Sequence, residues 1–280
     1  MPIISVVNMK GGVAKTTLAI NLADTLVRRE DCSVLVVDLD PQFNATQALI
    51  SPEDYVAKRQ AGGHTIVDIF DDTPAPAISA VAHSSKPTLA LKDLKPWRIK
   101  EDFDLMPGDL ELYRLEMGGG QGREQRLKRY LEEIKAGDAY DYVIIDTPPT
   151  PSHWMMAALL ASSGYIVPVK AEPLSRTGID LLKSVIDRCS QNFGHPITCY
   201  GLVLTLVETN TNVFRDAKTW LDGDKFWSGK RFENSLPKRT AVAAAQGNQQ
   251  LILDLGDDVV KRALTGIGQE FLGRVDAAEG

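Results

Sequence analysis

The sequence predicts an α/β fold: a doubly wound, mostly parallel sheet with helices on both faces. Short apolar runs within Ile3–Val7, Ser33–Asp38, Tyr140–Asp146 and Ser163–Val169 have no polar alternation. That is how strands buried on both faces read. Segments with helical apolar spacing stand between these runs, which is the strand–loop–helix order of a doubly wound sheet. Two of the runs also end in aspartate, at Asp38 and Asp146, on the rim where parallel sheets bind ligands.

A chain of 280 residues, 44% hydrophobic and 24% charged, has the apolar content for a substantial core and is too apolar to be disordered. The net charge of −6 gives no whole-molecule attraction to DNA or anionic lipid, so any such contact needs a local basic patch. Cys32, Cys189 and Cys199 are odd in number and far apart, which suits a reducing compartment and opposes a disulfide framework or a Cys-x-x-Cys metal site. His64, His83, His153 and His195 show no ligand spacing. No signal peptide is expected, because chemistry begins within ten residues of Met1, and no apolar run approaches the ~18 residues of a membrane span.

That chemistry lies in Val6-Val7-Asn8-Met9-Lys10-Gly11-Gly12-Val13-Ala14-Lys15-Thr16-Thr17. A strand feeds a small-residue loop, and a helix follows over Leu18–Val27. Backbone N–H groups and the positive end of a helix dipole then converge on an anion. Lys15 supplies a mobile charge for β- and γ-phosphates, and Thr16 a hydroxyl for Mg²⁺. The usual phosphate-loop pattern fails at Met9 and Ala14, where glycines are expected, and a second lysine, Lys10, opens the loop. A glycine turn with two solvated lysines is the plainer alternative. The stretch resembles the deviant Walker A loop of the ParA/MinD family of ATPases. The resemblance implies a P-loop NTPase fold of deviant Walker A type and ATP as ligand. Gly11, Gly12, Val13, Ala14, Lys15, Thr16 and Thr17 would hold the phosphates. Lys10 would reach across a homodimer to the partner's nucleotide.

The next strand ends Asp38-Leu39-Asp40-Pro41-Gln42, where the family carries Asp-x-Asp-Pro-Gln. The resemblance implies that Asp40 polarises the attacking water and Asp38 supports the Mg²⁺ shell; helix-capping aspartates at a strand-end turn are the other reading. Phe43 departs from the family's usual glycine, which bears on the shape of this loop. Residues 51–100 read poorly, as an insertion. Thr65–Phe70 resembles a short family helix, then follow Thr73-Pro74-Ala75-Pro76 and a basic run of Lys86, Lys92, Lys95, Arg98 and Lys100 around Trp97. That run is either a solvated edge with one anchoring aromatic or a contact for nucleic acid or cargo. Asp102–Gly108 reads as a strand and turn. The glycine run at Gly118–Gly122 then divides two helices, Asp109–Met117 and Arg123–Lys135.

Tyr140–Asp146 followed by Thr147-Pro148-Pro149 matches a Walker B strand and switch II. By that likeness Asp146 holds the Mg²⁺ hydration shell, and the prolines stiffen a loop that senses the γ-phosphate. His153-Trp154-Met155-Met156 is bulkier than the family's residues there and is either core or dimer surface. Val167-Pro168-Val169 to Glu172-Pro173 resembles another family strand end, leading to a helix over Arg176–Phe193. Ile197–Val207 is the next strand. The resemblance places Thr205 and Pro237 near the base, and apolar spacing predicts a closing helix over Asp257–Val275.

Between Arg215 and Arg239 seven basic residues face four acids, a local +3 that leaves −9 for the rest of the chain. Arg215, Lys218, Lys225, Lys230, Arg231, Lys238 and Arg239 are the candidate contacts to DNA. Taken together, residues 1–280 are expected to form one P-loop ATPase domain. It would be a cytoplasmic, nucleoid-associated, Mg²⁺-dependent ATPase whose ATP homodimer binds nonspecific DNA. A stimulating adaptor protein would trigger hydrolysis to partition or position a plasmid, chromosome locus or large cargo. A MinD-like membrane role is disfavoured by the short acidic end, Val275–Gly280. A small-molecule synthetase of the dethiobiotin-synthetase kind is the rival from another class.

Overall fold

A computed structural model describes residues 1–71, 90–117, 122–172 and 175–280. The Thr73–Pro76 stretch, Lys86, the glycines Gly118–Gly120 and Pro173 lie outside the described residues. Eight strands form one sheet: β1 (Ile3–Val6), β2 (Val34–Asp38), β3 (Trp97–Lys100), β4 (Phe103–Met106), β5 (Tyr142–Asp146), β6 (Gly164–Lys170), β7 (Thr198–Val207) and β8 (Leu236–Pro237). Their order across the sheet is β3-β4-β2-β5-β1-β6-β7-β8. Every pairing is parallel except β3 with β4. The predicted doubly wound, mostly parallel sheet is therefore present.

Residue alternation along β2 shows why the strands read as unbroken apolar runs. Val34 and Val36 face one core, and Leu35 and Val37 face the other. The first core is covered by α1 (Lys15–Glu30) and α12 (Asp258–Glu279), through Leu18, Leu22, Leu264 and Phe271. The second is covered by α4 (Ile66–Phe70), α6 (Arg126–Glu133) and α8 (His153–Ala161), through Phe70, Tyr130 and Trp154. Trp154 and Met155, left open as core or dimer surface, are buried in the core, while Met156 is only partly buried. Among the described residues, side-chain caps start several helices, α8 among them at Ser152. Ser51 accepts from the Asp54 N–H at the head of α3 (Pro52–Gln60), and Asp257 accepts from the N–H groups of Val259 and Val260 at the head of α12.

Of the basic run, Arg98 and Lys100 lie with the buried Trp97 in β3, an antiparallel edge strand, which agrees with the reading of an edge anchored by one aromatic, while Lys92 lies in a 3₁₀ turn over Leu91–Asp93. Several elements differ from expectation. The expected helix from Asp109 begins only at Leu112 in α5 (Leu112–Met117), because the Asp109 carboxylate accepts from the Glu111 N–H and holds a turn. The expected helix Arg123–Lys135 opens as a 3₁₀ turn over Arg123–Gln125 before α6. Unforeseen helices also occur: α2 (Asn44–Leu49), α7 (Ala136–Ala139), α10 (Asn212–Gly223) and α11 (Thr240–Gln246); α9 (Ser175–Phe193) matches the expected span closely.

Candidate functional site

The carboxyl ends of β1, β2 and β5 adjoin, so the topology brings the loop after β1 against the aspartates that end the other two. The loop itself turns through two left-handed residues, Gly12 (φ 68°) and Ala14 (φ 61°). Ala14 bears a side chain where glycine would be free of strain, at a cost of about 1–2 kcal/mol. Three contacts hold the loop in that shape. The Asn8 carboxamide accepts from the Lys10 N–H at 2.9 Å and donates to the Pro168 carbonyl at 2.7 Å. The Thr205 hydroxyl donates to the Val13 carbonyl at 2.8 Å.

Beneath the loop, Thr16 Oγ1 donates to Asp146 Oδ2 at 2.6 Å. Asp38 pairs with Asp146 across β2 and β5. Its Oδ2 accepts from both the N–H and the hydroxyl of Thr46, each at 2.7 Å. The remaining oxygens, Oδ1 of Asp38 and Oδ1 of Asp146, are buried without a hydrogen-bond partner. Burial, then the neighbouring Asp146 charge, raises Asp38 well above the ordinary carboxylate range. Burial likewise pushes Asp146 up to about 7, against the opposing hydrogen bond from Thr16. Two orphaned carboxylate oxygens beside a threonine hydroxyl are a hard-oxygen donor set, and a divalent cation would relieve the cost of burying them. Gly108 closes this floor: a Cβ there would stand 2.5 Å from Phe43 Cβ and 2.9 Å from Asp38 Cγ.

Lys15 is 7% exposed, and burial lowers its pKa against the opposing charges of Asp146 and Asp40. Asp40 is 6% exposed, accepts from the Gln42 N–H at 2.9 Å, and is raised by burial. A buried carboxylate with raised proton affinity beside a buried ammonium can accept a proton or orient water. Phe43 takes the left-handed conformation (φ 42°) that a glycine would take, and it stacks on Tyr55 at 5.7 Å. Phe43 thus holds a left-handed turn with its ring packed on Tyr55.

A cleft of about 620 Å³ joins these groups. Gly11, Gly12, Ala14, Lys15, Thr16, Thr17 and Asp40 line it. Lys10 does not; its ammonium pairs with Glu172, which Lys170 also reaches. Hydrogen bonds from Lys10 and then Lys170 hold the Glu172 carboxyl down at about 2. Of the two residues expected near the base, Thr205 is fully buried with its hydroxyl spent on the loop carbonyl, and Pro237 is buried in β8, so neither lines this cleft. What lines it instead, unforeseen, is a set of carboxamides: Gln42, Asn44, Gln47, Gln246 and Gln249. The amide-rich run Gln246–Gln250 was the available signal.

The candidate DNA contacts also divide. Arg231 is a correction: its side chain is 7% exposed and is held by Asp222, Glu233 and the Phe232 carbonyl, so it faces no external phosphate. Lys238 pairs with Glu208, and Arg239 with Asp257. Lys218 lies over the Phe214 ring and Lys230 over the Phe226 ring, and both are half-buried. Arg215 and Lys225 have no ion-pair partner among the described residues.

A family model described as an AAA domain matches residues 1–198. The chromosome partitioning protein ParA of Caulobacter vibrioides is 28% identical over 257 residues, covering 90% of this chain and 87% of its own. The chain belongs to the ParA/MinD family of P-loop ATPases. Two solved structures share this ParA-type fold. A putative plasmid partition protein from Borrelia burgdorferi, bound to AMPPNP, superposes with a TM-score of 0.76 at 21% identity, covering 98% of this chain and 99% of that one. The cobyrinic acid a,c-diamide synthase of Mycobacterium smegmatis, with a bound ATP analogue and magnesium, gives 0.68 at 26% identity, covering 89% and 92%. Among the described residues of this ParA/MinD-family chain, no helix is long and apolar enough to cross a membrane.

Proposed function

We propose that residues 1–280 form a single ATPase domain that dimerises around ATP, binds DNA without sequence preference, and partitions or positions a DNA molecule or large cargo. The observation that carries this reading is the meeting of Lys15 and Thr16 with Asp40 and Asp146 at adjoining strand ends, under a loop turned to present its amides. Lys15 and the amides of Gly11–Thr17 hold the phosphates. Asp40 orients the attacking water and takes its proton. Thr16, Asp38 and Asp146 would hold Mg²⁺, which would supply positive charge against the phosphates. Lys10 leaves Glu172 to reach the nucleotide of the second subunit.

The DNA face uses Arg215, Lys218, Lys225 and Lys230, with Lys238 and Arg239 available only where DNA displaces Glu208 and Asp257. A dimer doubles this patch, and avidity multiplies weak contacts. An adaptor protein stimulates hydrolysis, and loss of the ATP dimer releases DNA, in the cytoplasm and on the nucleoid. The test is co-sedimentation with nonspecific duplex DNA under ATP, ADP or no nucleotide, at two salt concentrations, for the wild type and Asp40→Ala. DNA should pellet the protein only with ATP, more weakly at high salt, and Asp40→Ala should stay bound as ATP ages. Nucleotide-independent pelleting would overturn the coupling.

The likeness to a diamide synthase with a bound ATP analogue supports a second reading, a small-molecule synthetase. That enzyme would turn over ATP only with a carboxylic acid substrate and would ignore DNA.

A further inference from the structure

The cleft has two chemically different ends. One holds Lys15 and the loop amides, which suit a polyanion. The other is walled by Gln246 at the end of α11, by Gly247 and Gln249 in the turn that follows, and by Gln47, Ala48 and Pro52, none of them charged. Neutral amides among small apolar groups match a ribose and a heterocycle, which carry donors and acceptors without charge. We propose that Gln246 is the residue by which this cleft recognises the nucleoside part of its ligand and so separates a nucleoside triphosphate from bare polyphosphate. The inference rests on the nucleotide reading of the site given above and assigns that site its specificity residue.

Three observations place Gln246 in this role. Its Oε1 accepts from the Thr17 hydroxyl at 3.3 Å. That bond fixes the carboxamide beside the residue that follows the Mg²⁺-type threonine, next to where a phosphate chain would end. With Oε1 engaged, the Nε2 group keeps two N–H donors for ribose oxygens or ring nitrogens. The wall behind it is held in place, because Gln249 Nε2 donates to the Gln47 carbonyl at 3.1 Å and ties the turn after α11 to α2. Finally, Gln246 lines the cleft, whereas Thr205 is fully buried with its hydroxyl spent on the Val13 carbonyl.

Titration calorimetry with ATP and with inorganic tripolyphosphate, both with Mg²⁺, tests the proposal on the full chain. Wild type should bind ATP more tightly than tripolyphosphate. Gln246→Ala should weaken ATP roughly three- to tenfold, the worth of one or two neutral hydrogen bonds, and leave tripolyphosphate unchanged. Gln246→Met, which keeps the side-chain length and removes the donors, should do the same, with thermal melting of both variants reporting their fold. Equal weakening of both ligands, or of neither, overturns the proposal. So does a wild type that binds both ligands equally. A wild type that binds neither ligand defeats the nucleotide reading itself, and this inference with it.

Discussion

Thr205→Val isolates the contact that ties the phosphate loop to the sheet. Valine matches threonine in shape and removes only the hydroxyl, so packing around the fully buried side chain is retained. What is lost is the 2.8 Å bond to the Val13 carbonyl. Val13 is itself 1% exposed, so that carbonyl has no route to solvent once its donor is gone. An unsatisfied buried acceptor costs about 1–3 kcal/mol. A shift of that size should appear in the urea midpoint with an unchanged slope. The loop would also lose its pinned shape next to Ala14, which is already strained. Affinity for ATP and for tripolyphosphate should therefore fall together, because both use the loop. A base contact through Thr205 makes the opposite forecast: little change in stability, and a loss confined to ATP. A variant of wild-type stability with selectively weakened ATP binding would refute the loop-tether argument and restore Thr205 to the base.

The buried Arg231 and the open Lys225 should separate stability from DNA binding. Arg231→Ala should cost about 1–3 kcal/mol, discounted because Asp222 and Glu233 are half or more exposed, whereas Lys225→Ala should stay within about 0.5 kcal/mol yet lower the salt dependence of DNA binding; matching urea midpoints for the two variants would sink this division. At Phe43 (φ 42°) the usual ranking should invert, with Phe43→Gly more stable than Phe43→Ala by about 1 kcal/mol, since alanine keeps the left-handed strain and both lose the Tyr55 stack; calorimetric melting decides it. Metal-free stability should fall as pH rises from the ordinary carboxylate range through about 7, because the folded chain keeps the Asp146 proton that the unfolded chain has already released. Asp146 contributes at most about 1.4 kcal/mol per pH unit, Asp38 and Asp40 add slope of the same sign, Asp146→Asn should make the decline shallower, and an EDTA-treated wild type with no such decline would contradict the assignment.

What could be read in advance was chemistry carried by neighbours in the chain. The loop Lys10–Thr17 and the strand-ending Asp38 and Asp146 are local, and strands β2 and β5 are unbroken apolar runs because helices cover both faces. Helix α3 hid for the opposite reason. It buries no residue, so it shows no apolar stripe, and its marks are the Ser51 cap, Pro52 at its start, acids in the first turn and Lys58 and Arg59 in the last. Strand β3 hid because a short edge strand that carries Arg98 outward and Lys100 to the buried Asp24 reads as a basic run, with Trp97 and the half-buried Ile99 as its inward clues. Arg231 misled a charge count, since a count treats all cations as equal. The carboxylate that occupies it, Asp222, comes from the end of α10, nine residues back across a turn. The same limit explains Gln246. It meets Thr17 across 229 residues of sequence, and only the closing of β8 beside β7 brings α11 to the head of α1. The anion-binding half of the cleft is thus written in one continuous stretch, and the half that would choose between anions is assembled by the sheet. If that division is right, substitutions within α11 should change which phosphate compound binds, and substitutions within the loop should change whether any binds at all.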